Sequence, residues 1–192
     1  MTSTPHPNRD LSYAELNRTR RSWLGYTGEV VPDELLREIV AEATLAPSGS
    51  NLQPWRFVVA GPDQLDRFAD GLGSNFDKVR EAGTLLVVFG DPNAVESSDR
   101  AHDFYDSGKT SRRDFAVRNA SLAAMNLMLA AWSHGVATRP MIGFEPFLVR
   151  EAAKMPRSCI PVVAMAVGYP ELDREQPERD RAPVDDVLTF LS

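Results

Sequence analysis

The 192-residue chain contains a single cysteine, Cys159. No intrachain disulfide can form, and a reducing compartment is the simpler expectation. Cys159 lies inside the apolar run CIPVVAMAVGY, where a buried core thiol is the expected role. Histidine is scarce too: His6, His102 and His134 stand without a companion three or four residues away, and no CxxC occurs, so the usual zinc spacings are missing and no metal site is expected. The GxSxG and P-loop patterns are absent, and nothing supports a hydrolase triad. The glycine cluster Gly71-Leu72-Gly73-Ser74-Asn75 follows a predicted helix, whereas a dinucleotide fingerprint needs a strand before it. Basic runs are missing too: 21 basic against 27 acidic residues give a net charge of -6, which repels nucleic acid. The longest membrane-like stretch, residues 120–132, is too short to span a bilayer and is interrupted by Asn126. The opening MTSTPHPNRD lacks the apolar core of a secretory signal. The expectation is a soluble, cytoplasmic protein with no membrane or nucleic-acid partner.

The composition, 43% hydrophobic and 25% charged, is that of an ordinary globular chain. Its length suits one domain over residues 1–192, with extended polar arms at 1–9 and about 171–186, the C-terminal arm as a whole covering 171–192. Helices are predicted over 10–20, from Pro32 until Pro47 ends the pattern, over 62–71, 113–134 and 146–155. The second has Pro32 at its first position, Asp33 and Glu34 in its first turn, and apolar Leu35, Leu36, Ile39, Val40 and Ala43 at helical period. Strands are predicted for WRFVVA (55–60), for TLLVVFG (84–90), whose continuous apolar run indicates cover on both faces, and for 160–167. Residues 96–111, polar but carrying Phe104, Tyr105 and Lys109, read as a mobile loop or lid. The helix over 113–134 is apolar nearly all round between Ala120 and Trp132, which places it in the body or in a subunit interface, and Gly135 supplies its stop. Interleaved helices and strands imply α/β or α+β architecture.

Basic and amide residues recur beside short polar turns. Arg20, Arg21 and Ser22 could hold a phosphate monoester, since guanidinium groups bind phosphate oxygens bidentately and serine adds a donor; a solvated helix end is the plainer alternative. APSGSNLQPW (46–55) reads as a turn fixed directly before a buried strand. Arg179-Asp180-Arg181 alone is a charge run on a solvated arm.

In combination, the order RRS, VPDELLREIVAEATLAPSGSNLQPWRFVV, a long Ala-rich helix ending in HGVATRPMIGF, VVAMAVGYP and a closing RxR before PVDDVL resembles the FMN-dependent nitroreductase family. The resemblance extends over about residues 16–191, and APSGSNLQPW is its most specific element. It implies an α+β fold with a central, mostly antiparallel sheet flanked by helices, working as an intertwined homodimer with FMN at the subunit interface. It further implies phosphate and ribityl contacts from Arg20, Arg21 and Ser22, a turn at Pro47, Ser48, Gly49 and Asn51 that reaches the flavin from the other subunit, and pyrimidine-edge contacts from Asn75 and Lys78. Ile142 and Gly143 match the backbone pair facing flavin N5, and Arg179 and Arg181 the C-terminal phosphate clamp. A lysine at the pyrimidine edge stabilises the negative charge that develops on reduction.

The implied activity is hydride uptake from NAD(P)H and ping-pong reduction of nitroaromatic, quinone or activated alkene acceptors, with no catalytic acid, base or nucleophile from the protein. Alternatives are a same-fold flavoenzyme of another reaction (dehalogenation, flavin fragmentation or dehydrogenation), with Phe104, Tyr105 and Lys109 selecting substrate, or a flavin-binding protein without turnover. The chain departs from the family at Leu24, where a second basic residue is frequent, at Gly49, where a hydroxyl residue is frequent, and at Arg139-Pro140, where small or apolar residues are usual.

Overall fold

The computed structural model describes residues 8–106 and 111–191. In chain order the elements are α1 (Tyr13–Thr19), α2 (Asp33–Ala43), β1 (Trp55–Ala60), α3 (Ala69–Leu72), α4 (Phe76–Ala82), β2 (Thr84–Gly90), α5 (Asp99–Asp106), α6 (Arg112–Ser133), β3 (Ala137–Met141), α7 (Pro146–Ala152), β4 (Ile160–Gly168) and α8 (Val184–Val187). The four strands form one sheet in the order β1-β2-β4-β3 with every neighbouring pair antiparallel. This is the α+β class expected.

The continuous apolar run of β2 has the meaning assigned to it: all seven residues are buried. Leu85, Val87 and Phe89 face a layer containing Phe68, Leu72, Val79 and Val149, whereas Leu86 and Val88 face Leu36 and Ile39 of α2 and the alanine-rich stretch of α6. Period-two alternation therefore feeds two cores from one strand. Gly90 lets α6 close on the end of β2, since a Cβ there would lie 2.8 Å from the Ala116 carbonyl.

Capping chemistry sets several ends differently from the periodicity. Ser12 accepts from the Glu15 backbone N–H while Glu15 reaches back to Ser12, so α1 starts at Tyr13 and not at residue 10. Pro32 is the N-cap of α2 and not its first helical residue, and the helix ends at Ala43, ahead of Pro47. Residues 62–71 are not one α-helix: 3-10 turns span Pro62–Phe68 and only α3 is α-helical. The helix predicted over 146–155 stops at Ala152. Four elements were not anticipated, α4, α5, β3 and, within the arm expected to be extended, α8; β3 carries Arg139 and Pro140 at a sheet edge, where a missing N–H is tolerated.

The largest correction concerns residues 96–111. In place of a loop, Pro92–Ser97 forms 3-10 turns and Asp99–Asp106 is helical. Ala101 is buried, and the Tyr105 ring packs at a tilt against Phe115 of α6 with centroids 4.6 Å apart, so packing onto α6 orders a segment whose composition reads as loop. α6 itself is buried along Ala120, Ala123, Leu127 and Ala131 but leaves Leu122 half exposed. Cys159 is buried, as expected. No helix among the described residues is long and apolar enough to cross a membrane, and no cluster of metal-ligating side chains occurs among them.

Tyr26 is buried, and its hydroxyl has no hydrogen-bond partner among the described residues. Burial raises its phenol above the ordinary range, opposed by Arg139 and assisted by Glu81. As pH climbs past about 10 the unfolded chain ionises this group first, so its contribution to stability is complete at neutral pH and is lost at higher pH. Tyr26→Phe is expected to remove this alkaline loss and to leave neutral-pH stability unchanged or raised by up to about 1 kcal/mol. Urea titrations near neutrality and at about pH 11 check it; a neutral-pH loss above about 1 kcal/mol overturns it.

Candidate functional site

Three parts of the chain converge on a cavity of about 450 Å³. The C-terminal end of α1 and the segment after it contribute Asn17, Arg18, Arg20, Arg21 and Ser22, and the arm after β4 contributes Gln176, Pro177, Arg179 and Arg181. Among the described residues, five arginines and no carboxylate line it. Arg20 is half-buried, its Nε has no partner among the described residues, and burial, with Arg181 as the second influence, pulls its guanidinium below the ordinary value. Like charges held together around an unpartnered donor are an arrangement that an anion would neutralise.

The segment leaving α1 is tied to β3: Ser22 bridges Thr138 in parallel, and the Trp23 N–H donates to the Thr138 carbonyl at 3.3 Å. Trp23 anchors it further by packing on Trp132, centroids 5.3 Å apart. From Thr138 the strand runs to Met141 and delivers Ile142 and Gly143 about 13–17 Å further along, at roughly 3.3 Å per residue. There a second polar group is assembled. The Asn75 amide N–H donates to the Gly143 carbonyl at 2.5 Å, and the Lys78 ammonium donates to the Asn75 side-chain carbonyl. Lys78 sits one turn into α4 from Asn75, at the i+3 spacing that brings side chains together. Both groups keep donors to spare, while Ile142 beside them is exposed.

The turn containing Pro47, Ser48, Gly49 and Asn51 does not line the arginine cavity of its own chain. It is a fixed structure nonetheless. Ser50, Asn51 and Gln53 have φ of 51°, 53° and 47°, left-handed values that are strained for non-glycine residues. The strain is held from both sides. The Gln53 N–H donates to Ser48 Oγ at 3.0 Å, and the Gly49 N–H donates to Asn119 Oδ1 at 2.9 Å, with the Asn119 amide donating to the Phe115 carbonyl at 2.7 Å. At Gly49, where the chain departs from the family, a Cβ would lie 3.1 Å from the Phe115 ring and 3.4 Å from the Tyr105 hydroxyl, so a side chain there requires the ring to give by a few tenths of an ångström.

Of the predicted lid residues, Tyr105 lies over this turn; Phe104 is in α5 with a side chain outside the described residues, and Lys109 lies outside them altogether. Asn17, Arg18, Asn119 and Gln176 were not singled out by sequence. Arg18 and Asn17 could have been found by extending the RRS group back one helical turn. Nothing in the sequence marks Asn119, inside an alanine-rich helix, or Gln176, inside a polar tail.

The model of the Nitroreductase family matches residues 18–169. The chain is 27% identical to MhqN of Bacillus subtilis, a provisional NAD(P)H nitroreductase, over 93% of this chain and 98% of that one. It is 30% identical to the NADH dehydrogenase of Thermus thermophilus over 85% and 88% of the two chains. It superposes with a TM-score of 0.81 and 27% identity on an Exiguobacterium sibiricum protein solved in complex with FMN, covering 94% of this chain and 97% of that one.

Proposed function

Because this chain belongs to the nitroreductase family and is accordingly an oxidoreductase that uses FMN and NAD(P)H, we propose that its arginine cavity is the seat of the FMN phosphate and that the enzyme reduces nitroaromatic, quinone or activated alkene acceptors by a ping-pong mechanism. The observation that carries this reading is the cavity itself: among the described residues it has five guanidinium groups, no acid, and an unpartnered buried Arg20 Nε. A phosphate dianion neutralises this repulsion and accepts the spare donors. When bound, FMN supplies the two-electron chemistry between nicotinamide and acceptor.

The chain's own residues hold and orient. Arg20, Arg21, Arg179 and Arg181 grip the phosphate and Ser22 adds a hydroxyl donor. Asn75, with its amide already oriented by Gly143 and Lys78, presents its remaining N–H and lone pair to the pyrimidine edge, and the Lys78 ammonium supplies positive charge there. The exposed Ile142 leaves its side of the cleft open to a planar substrate.

A second copy of the chain completes the site in this reading. The strained turn at Pro47, Ser48, Gly49 and Asn51 faces outward and serves the partner's flavin. Val187, Phe190 and Leu191 of the C-terminal arm are 73%, 85% and 96% exposed, and Leu45 is 80% exposed, which is apolar surface that association covers.

The test is the visible absorption spectrum of the purified protein before and after anaerobic addition of NADPH and then NADH. The expected protein is yellow and bleaches with at least one nucleotide. A colourless protein that takes up no added FMN overturns the cofactor assignment; one that binds FMN but never bleaches overturns the catalytic reading in favour of a flavin-binding role.

A further inference from the structure

Between residues 171 and 191 every side chain is exposed except that of Gln176. Its amide makes a paired contact with one residue of the body: the Leu24 N–H donates to Gln176 Oε1 at 2.9 Å, and Gln176 Nε2 donates back to the Leu24 carbonyl at 2.7 Å. The same nitrogen donates to the Arg174 carbonyl at 3.1 Å, which fixes the rotamer from within the arm. Closer to β4 the arm is held by the Glu171 N–H on the Gly25 carbonyl and by Arg174 on Glu81. Beyond Gln176, among the described residues, no hydrogen bond or ion pair ties residues 177–191 to the body; the contacts of Arg181, Asp186 and Leu188 are all local.

We propose that Gln176 is the positioning residue of the arginine cavity, its amide clasping the Leu24 backbone so that Arg179 and Arg181 stand opposite Arg20 and Arg21. The proposal rests on the phosphate reading above. Its physical need is evident from the charges: two arginines on a loose arm are repelled by two arginines on the body, and an empty clamp of this kind opens unless something uncharged holds it. A neutral amide does so at any pH and is little screened by salt, unlike the exposed Arg174–Glu81 pair. Without it the last tether falls back to Arg174, and the effective concentration of Arg179 and Arg181 at the cavity drops. The position of Leu24 gains a second meaning. No basic side chain stands there, and its backbone is instead the anchor of the arm.

The experiment compares the dissociation constants of FMN and riboflavin, two probes that differ only in the phosphate, for the unaltered protein, Gln176→Ala, Gln176→Glu and Arg181→Ala, by calorimetry on protein stripped of flavin. Gln176→Ala is expected to weaken FMN about tenfold, the size of one to two lost net hydrogen bonds, and to leave riboflavin within about twofold. Gln176→Glu keeps the acceptor for the Leu24 N–H but sets a carboxylate oxygen against the Leu24 carbonyl, and is expected to show the same selective loss. A purely structural role lowers both affinities equally, and that result, or an unchanged FMN affinity in both Gln176 variants, overturns the proposal. Failure of the underlying reading looks different: the unaltered protein then binds riboflavin as tightly as FMN, and Arg181→Ala changes neither.

Discussion

Replacing Arg20 and Arg181 together by alanine is expected to strip the protein of FMN and leave it folded. Charge-assisted hydrogen bonds contribute about 1.5–3 kcal/mol each, so losing one guanidinium from each side of the cavity removes about 3–6 kcal/mol, or roughly 10²–10⁴ in affinity. Folding is spared because neither residue belongs to either hydrophobic core. The flavin-free protein is expected to be no less stable than before, since the substitution also removes the repulsion that Arg20 feels from Arg181. The ratio of flavin to protein absorbance after gel filtration, with a thermal melt of the same sample, measures both quantities. Undiminished flavin in a folded double variant overturns the assignment of the cavity to the phosphate.

A second substitution is expected to have the opposite profile. Phe89 is fully buried in β2, opposite Arg56 and Pro161 and beside the register shift between Val88 and Phe89. Its ring packs in the core layer that contains Phe68, Leu72 and Val149, and the sheet around it is bonded on both sides, which leaves little freedom to collapse into a vacated volume. Phe89→Ala is therefore expected to lower stability by about 3–5 kcal/mol. For a chain of this size that is a fall in Tm of roughly 6–20 °C, at about 2–4 °C per kcal/mol. Urea unfolding at a fixed protein concentration checks it, fixed because the proposed dimer would make apparent stability depend on concentration. Phe89 does not line the arginine cavity, so FMN affinity of the folded fraction is expected to be unchanged. A loss below about 1 kcal/mol shows that the core repacks and overturns the estimate.

The two variants separate what the sheet does from what the arms do. The sheet and its two helical layers fix where β3 starts and ends, and so set the distance between Ser22 and Gly143. The arms bring the charge. The Gly49 turn couples these levels, because the buried Asn119 that pins it belongs to α6, the helix that covers the sheet.

Local regularities were legible in the amino-acid order by itself. The bounds of β1 and β2 coincide with WRFVVA and TLLVVFG; β2, buried on both faces, is apolar at every position, whereas β1, expected to be buried, lies at a sheet edge with Arg56 and Val59 exposed. The course of α2 follows from its apolar period, and the end of α6 follows from Gly135, which has φ 75° where a left-handed residue is required. The candidate residues Arg20, Arg21, Ser22, Arg179 and Arg181 could be singled out because arginine beside short polar turns is unusual in an acidic chain, and family resemblance put the groups in order. What sequence could not supply is how tertiary contacts override local preference. Residues 99–106 have a polar, loop-like composition and become helical where Tyr105 meets Phe115. Residues 137–141, with a proline among them, become an edge strand because β4 offers a partner on one side only. Gln176 meets Leu24 across 152 positions, and no periodicity or spacing records such a meeting. Hydrophobic patterning acts over a few turns of chain and is written there; the convergence of two arginine groups on one cavity depends on the path of the whole backbone, which only the packed sheet determines.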